Sequence, residues 1–527
     1  MTIFQRRLST SSLIKIIIGI FFLFFVILPI LSMFGRITST SLASVFTSSQ
    51  FSKALKNSLT TTFVATLISM TIGLVAAWSI ERTAMRYKAL FSTIIVLPML
   101  IPSISHAFGL VALFGANGIV TRFFGLANGI YGFWGIVAGS VMYSFPVAYL
   151  MFTSILHYED AMPHKAALVL GIPPLRRFVG ITLPYLRKTF IAVFFAVFTM
   201  IITDYGVPLM IGGKTTTLSV LMYNKAVGMI DYSSGSVIGV LLLIPAIVAF
   251  LVDILNPEKG ESGFVSELME STNNRLALVA SYVFNGAVLL AVLAPIVSFC
   301  IMVFQTKYPI NTEFTLYHIE KTLNRGAGRY LINSIIYAFS AAVFGTSLAF
   351  VCSYMTSRMK GQLSYILHLI SLTSMAIPGI VLGLSYVIFF SGTNIYGTLL
   401  IIALVNSVHF FASPYLMMYN ALEKLNPNLE AVGMSLGIKR IRIVFDVIIP
   451  KVKSSLSEMF TYFFVNSMMT ISAVSFLAPP APKPVSLMIN QFEAQLLMES
   501  AAFVSLLILL INLLTKGGFA LAKKKFN

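Results

Sequence analysis

The chain has 527 residues, of which 57% are hydrophobic and only 10% charged, with a mean hydropathy of +0.89. Soluble domains carry roughly a quarter charged residues, so this composition excludes a soluble globular protein. The net charge of +18 does not call for a nucleic-acid partner, because placing the N-terminus in the cytoplasm puts most Lys and Arg on that side, as membrane topology requires.

Crossing about 30 Å of hydrocarbon takes roughly 20 apolar residues. Twelve stretches qualify, and they predict an all-α integral membrane protein of about twelve transmembrane helices. In the first half they fall near 14–34, 59–80, 90–113, 131–156, 190–210 and 236–255. In the second they fall near 276–304, 330–354, 363–390, 396–419, 459–478 and 501–522. The first run, Leu13 to Met33, is longer than a secretory signal core and lacks a following small-residue cleavage site, so it reads as an uncleaved span. Arg6, Arg7 and Lys15 at one end, and Lys523, Lys524 and Lys525 at the other, place both termini in the cytoplasm. Cys300 and Cys352 both lie in predicted helices without metal-ligand spacing, which predicts neither a metal site nor a disulfide.

A short pattern occurs twice. Lys165-Ala166-Ala167-Leu168-Val169-Leu170-Gly171 is followed by nine residues and Ile181-Thr182-Leu183-Pro184. Ala431-Val432-Gly433-Met434-Ser435-Leu436-Gly437 is followed by nine residues and Val447-Ile448-Ile449-Pro450. Other landmarks repeat in the same order. Asn57-Ser58 and Asn333-Ser334 share an offset of 276 with Pro102 and Pro378, whereas Pro146 and Pro414 differ by 268. The second half has lost about ten residues in the outer loop between its third and fourth spans. Six spans per half keep both halves in one orientation, a parallel repeat about an axis along the membrane normal. The expected organisation is a first half over 1–256, a cytoplasmic linker over 257–274 and a second half over 275–527. The repeated loops lie near 160–188 and 422–453.

The repeated loop resembles the signature of permeases of binding-protein-dependent ATP-binding-cassette importers, Glu-Ala-Ala, three residues, Gly, nine residues, Ile-x-Leu-Pro. Ala166-Ala167, Gly171 and Ile181-Thr182-Leu183-Pro184 fit it. Lys165 and Ala431 stand where the family has Glu, Val432-Gly433 matches the Ala pair only in being small, and Glu430 lies one position earlier as a substitute acid. Small residues and Gly allow close approach and a sharp helix end. The resemblance implies two copies of a separate ATPase docking on Lys165, Ala166, Ala167 and Gly171 in one loop and on Glu430, Ala431, Gly433 and Gly437 in the other. It also implies a solute-binding protein outside, a bacterial plasma (inner) membrane of surrounding lipid, and a chain with no catalytic residue, cofactor or resident metal. Gly212-Gly213-Lys214-Thr215 is no phosphate-binding loop, since Pro208 stands where that motif needs Gly.

Fused permeases of this size resemble the ferric-iron group, with 2-aminoethylphosphonate and thiamine permeases as related alternatives. The segment Thr203 to Pro208 resembles the iron-type chains. A different class, a secondary transporter driven by an ion gradient, would place ionisable residues along its central helices, where this chain has almost none beyond Asp204. Asp204 either lines the outer pathway or caps a broken helix, and Ser472 is read as its neighbourhood in the second half. Pro102 and Pro378, together with Pro98, are expected to break helices beside the pathway. His106 and His409 are expected to pack or to bond backbone.

Overall fold

The computed structural model describes residues 10–125, 129–255, 267–477 and 484–526. Residues 257–266 of the expected 257–274 linker, Arg6, Arg7 and Ala478 lie outside the described residues. Helices α1 (Thr10–Phe34), α2 (Ser49–Arg82), α3 (Lys88–Leu100), α4 (Ser103–Phe114), α5 (Phe133–His157), α6 (Met162–Val169), α7 (Leu183–Ile202), α8 (Gly206–Ile211), α9 (Leu218–Tyr223) and α10 (Tyr232–Leu255) make up the first half. The second half begins with α11 (Arg275–Val303), and a two-stranded hairpin, β1 (Gln305–Lys307) with β2 (Asn311–Phe314), follows it. Then come α12 (Ala327–Ser357), α13 (Gln362–Leu372), α14 (Gly379–Phe390), α15 (Leu399–His409) and α16 (Ala412–Glu423). The chain closes with α17 (Leu429–Ser435), α18 (Lys453–Met469), α19 (Val474–Leu477), α20 (Ser486–Ala494) and α21 (Met498–Phe526).

Among the described residues nine helices are long and apolar enough to cross a membrane, and two bent pairs raise this to eleven. The remaining expected passage is α18, which has 17 residues and carries Lys453 and Glu458 in its first two turns. Apolar side chains such as Phe63, Leu290 and Leu514 stay half or more exposed on the outside of the bundle, as a lipid-facing surface requires.

Several expected single spans are broken. Pro98 and Pro102 lack the N–H that would continue the ladder, so α3 and α4 are separate helices. Pro378 caps α14, which turns 104° from the preceding segment. The span at 190–210 stops at Ile202, and α8 starts anew at Gly206. The fourth passage differs between halves. Pro146 sits inside the continuous α5, whereas α15 and α16 meet at 53°.

The sequence halves are not the spatial units, because each gives its first helix to the other. The α1 ring of Phe22 packs edge-on to Phe411, Phe25 accepts a hydrogen bond from Tyr386 Oη at 2.7 Å, and Lys15 Nζ donates to the Met359 carbonyl at 2.8 Å. In return α11 lies on the first half. Phe299 stacks on Phe108, and Pro295 approaches so closely to Gly109 that a β-carbon there would meet it at 2.5 Å.

Candidate functional site

Both repeated loops fold into a short helix that ends the same way. At Gly171 and Gly437 φ is +70° and +77°. The N–H groups of Gly171 and Ile172 bond the carbonyls of Leu168 and Ala167, and those of Gly437 and Ile438 bond Met434 and Gly433, all at 3.0 Å. This is the two-bond Schellman termination, which wants a left-handed Gly. Nothing lies within 4 Å of a β-carbon built on either glycine, so backbone conformation alone demands them. The Pro that closes each pattern also has a local consequence. Because Pro184 and Pro450 offer no N–H, the turn ahead of each widens, and Leu183 and Ile449 donate five residues back to Phe178 and Val444.

Burial is matched position for position. His164 and Ala167 face inward in α6, as do Glu430 and Gly433 in α17, where Ile443 fills the space a β-carbon on Gly433 would need. Lys165, Ala166 and Ala431 face outward. Apolar side chains join them there. Val169 is 87% exposed and Leu436 72%, so each loop helix presents an uncovered apolar tip. Composition hid this feature, because Val and Leu in a membrane protein are read first as lipid-facing or core.

Beneath each helix lies a buried Arg from the last turn of the second span or just beyond it. Arg358 meets Glu430 two-pronged, Nε to Oε1 at 2.9 Å and Nη2 to Oε2 at 2.5 Å, and also donates to the carbonyls of Leu425 and Asn426. Arg82, offset by 276, meets Glu159 at 2.5 Å and the Leu156 carbonyl at 2.7 Å. His164 Nε2 completes that cluster, 3.0 Å from Glu159 Oε1. Burial pushes the Glu430 carboxyl up, but hydrogen bonds from Arg358 and the backbone and the Arg358 charge more than offset it, so its pKa lies below the ordinary glutamate value. Glu430 therefore points into the fold, away from the exposed face. Lys165 instead pairs with Glu267 at 2.5 Å, both partners half-exposed, and hydrogen bonding to that carboxylate raises the ammonium pKa. The linker's far end lies along this loop, with Ala161 N–H bonding the Glu267 carbonyl and Thr272 exchanging bonds with Arg82 and Ala84.

The other candidate residues meet between the halves. Asp204 sits in the break between α7 and α8, accepting from Ser103 Oγ at 2.6 Å and from the Val207 N–H at 2.9 Å, so it caps the new helix and ties it to the residue after Pro102. Its carbonyl accepts from Ser219 Oγ, as the Thr470 carbonyl accepts from Ser486 Oγ. Thr470 is thus the equivalent of Asp204. Ser472 corresponds instead to Gly206: Ser472 Oγ fills the space beside Gly379, the residue after Pro378, and Ser103 lies beside Gly206 in the same way. The two regions touch, since Tyr205 Oη donates to the Ile471 carbonyl. His106 Nε2 lies 3.0 Å from the Pro98 carbonyl. Among the described residues no three His, Cys, Asp or Glu side chains gather as a metal site would require.

Residues 69–259 and 341–526, more than half of the chain, match the model of the family described as binding-protein-dependent transport system inner membrane component, once in each half. The chain belongs to this family. It is accordingly a multi-pass inner-membrane transport component with a duplicated permease domain. A putative ferric transport system permease protein FbpB 1 of Haemophilus influenzae is 25% identical over 498 residues, covering 89% of this chain and 77% of that protein. A ferric transport system permease protein FbpB of Actinobacillus pleuropneumoniae is 24% identical, covering 89% and 71%. Among solved structures, a bacterial alginate ABC transporter in complex with a pentasaccharide-bound periplasmic protein aligns at 18% identity and a TM-score of 0.40, over 46% of this chain and 91% of that one.

Proposed function

We propose that this chain is the membrane passage of an ATP-driven importer for ferric iron delivered by an extracytoplasmic binding protein. The observation that carries the reading is the pair of loop helices, alike in termination and burial and each lying over a buried Arg although 266 residues apart. Two equivalent surfaces suit two copies of one ATPase. Each would seat on the outward residues of α6 or α17, among them Lys165, Ala166 and Ala431, with Gly171 and Gly437 ending the helix and Ala167, Gly433 and Glu430 holding it against the core. ATP hydrolysis then belongs to those separate subunits, and the loop end, with both termini, is cytoplasmic. The repeat units are 1–256 and 275–527, joined by 257–274. Iron is favoured as cargo because relatives matching 89% of the chain are named ferric permeases. The broken helices around Pro102, Asp204, Pro378 and Ser472 would form the passage, since irregular backbone within spans is tolerated where it lines a cavity.

Uptake of labelled ferric ion by cells lacking the chain, with and without its restoration, tests this. Uptake should return with the parent chain and fall at least about tenfold with Gly171→Trp/Gly437→Trp, together with loss of the co-purifying ATPase. A well-expressed parent chain that restores no iron uptake sinks the iron reading. A folded double variant that retains the ATPase sinks the docking reading.

A further inference from the structure

Two cavities flank the junction of the halves and are related by the duplication. One, of about 230 Å³, is lined by Met151 and the α7 face of Ile191, Ala192, Phe195 and Ala196, with Met375 from the other half. Its partner, of about 540 Å³, is lined by Met417 and the α18 face of Ser457, Glu458, Thr461 and Tyr462, with Met99 from the other half. The Met pairs and the four face positions keep the repeat offsets of 276 and 266. At identical places, therefore, an apolar wall has become a polar one.

The charges are one-sided. The larger cavity holds Lys516 and Lys523 from α21 against the single acid Glu458, and Lys523 Nζ already takes Glu458 Oε1 at 2.5 Å. Among the described residues the smaller cavity is lined by Lys188 and by no acid. Among the described residues neither Lys188 nor Lys516 has a carboxylate at salt-bridge distance. Position 188 lies on the fifth span and position 516 on the twelfth, so these cations are not copies of one ancestral residue.

A bare trivalent cation would be repelled here, because hard cations need oxygen ligands, carboxylates above all, and none is free. An ammonium beside the Ser457 hydroxyl and the second N–H of the Asn466 amide, whose first bonds the Tyr462 carbonyl, suits a phosphonate or carboxylate oxygen. We propose that the α18–α21 cavity is an anion-binding vestibule, with Lys516 as its selecting charge, through which cargo passes carrying an oxyanion. That cargo is either a metal still held by carboxylate ligands or a free phosphonate. This rests on the import reading above, but its test does not.

With Cys300→Ser and Cys352→Ala removing the native thiols, Thr461→Cys places a thiol in the vestibule of the full chain in lipid nanodiscs. Its rates with a sulfonate-bearing and a trimethylammonium-bearing methanethiosulfonate are each divided by those of free 2-mercaptoethanol. The sulfonate should be favoured at least about fivefold, because a fixed charge in a low-dielectric cleft concentrates counter-charge. The preference should vanish in Lys516→Gln and survive in Lys516→Arg. Equal corrected rates in the parent, or a preference indifferent to Lys516→Gln, overturn the proposal. Cellular uptake of iron supplied as citrate, or of 2-aminoethylphosphonate, then separates the two cargoes. A preserved sulfonate preference without chain-dependent iron uptake upholds the vestibule and removes the iron reading alone.

Discussion

In the first half Arg82 meets a carboxylate that precedes the loop helix, and His164 links that carboxylate to α6. In the second half Arg358 grips Glu430, which belongs to α17 itself. The second loop helix is thus fastened directly to the core by a charged fork, and the first through an intervening histidine plus the far end of the linker. What the two loops share is their solvent face and their glycine termination; what differs is the support beneath. Selection on a common docking surface with freedom in how it is held would leave this pattern. It also means the two loops should fail differently when their anchors are removed.

The largest difference should appear with Glu430→Ala. It strands a buried guanidinium, a class of change that costs about 3–5 kcal/mol. Glu430→Gln should cost less, since the amide oxygen still accepts. Thermal unfolding of the purified protein, read by a thiol-reactive dye at buried Cys352 in a Cys300→Ser background, measures both. A loss from Glu430→Ala no greater than that from His164→Ala would refute the direct-anchor distinction. Acid should mimic the substitution. Because the folded-state pKa of Glu430 is depressed, its contribution is complete above the unfolded glutamate pKa of about 4.3. It is lost as pH falls from there through the lower folded value, so Glu430→Gln should flatten the decline of stability across that window.

Next come the glycines, where the halves should agree. A left-handed residue with a β-carbon costs roughly 1–2 kcal/mol, and neither Gly171 nor Gly437 has a neighbour to worsen or relieve it. Gly171→Ala and Gly437→Ala should therefore lower stability equally and additively, given their distance. Unequal losses would show that the caps are not equivalent. Smaller again is His164→Ala, which removes one hydrogen bond from a Glu159 that Arg82 still neutralises, a net effect of about 1 kcal/mol. His164→Gln, which keeps a donor, should recover most of it.

Much of this was legible in the sequence for physical reasons. Long apolar runs read directly as spans, and a left-handed Gly thirteen residues before a Pro carries its geometry in its spacing. The anchors were not legible. Arg82 and Arg358 are 77 and 72 residues from their carboxylates, and a basic residue after an apolar run reads as topology. The offset of 276 between the two arginines was a signal that could have found them. The exchange of first helices was also hidden, because periodicity says that α1 and α11 are apolar and nothing about whose surface they cover. Ser472, expected in the neighbourhood of the Asp204 equivalent, lies just beyond Thr470, which the loop offset of 266 and the matching hydrogen bonds from Ser219 and Ser486 pair with Asp204.

The smallest effect decides what the linker contributes. Lys165 and Glu267 are both substantially exposed, so solvent and salt screen their attraction and ordering two flexible side chains offsets it. Lys165→Ala should leave the unfolding midpoint unchanged within error at 0.15 M salt. Lys165→Glu, which sets two like charges together, should lower it slightly and only at low salt. A drop from Lys165→Ala matching that from His164→Ala would make the linker a brace of the first loop rather than a passing strand. The asymmetry between the loops would then lie as much in Glu267 to Thr272 as in the two arginine anchors.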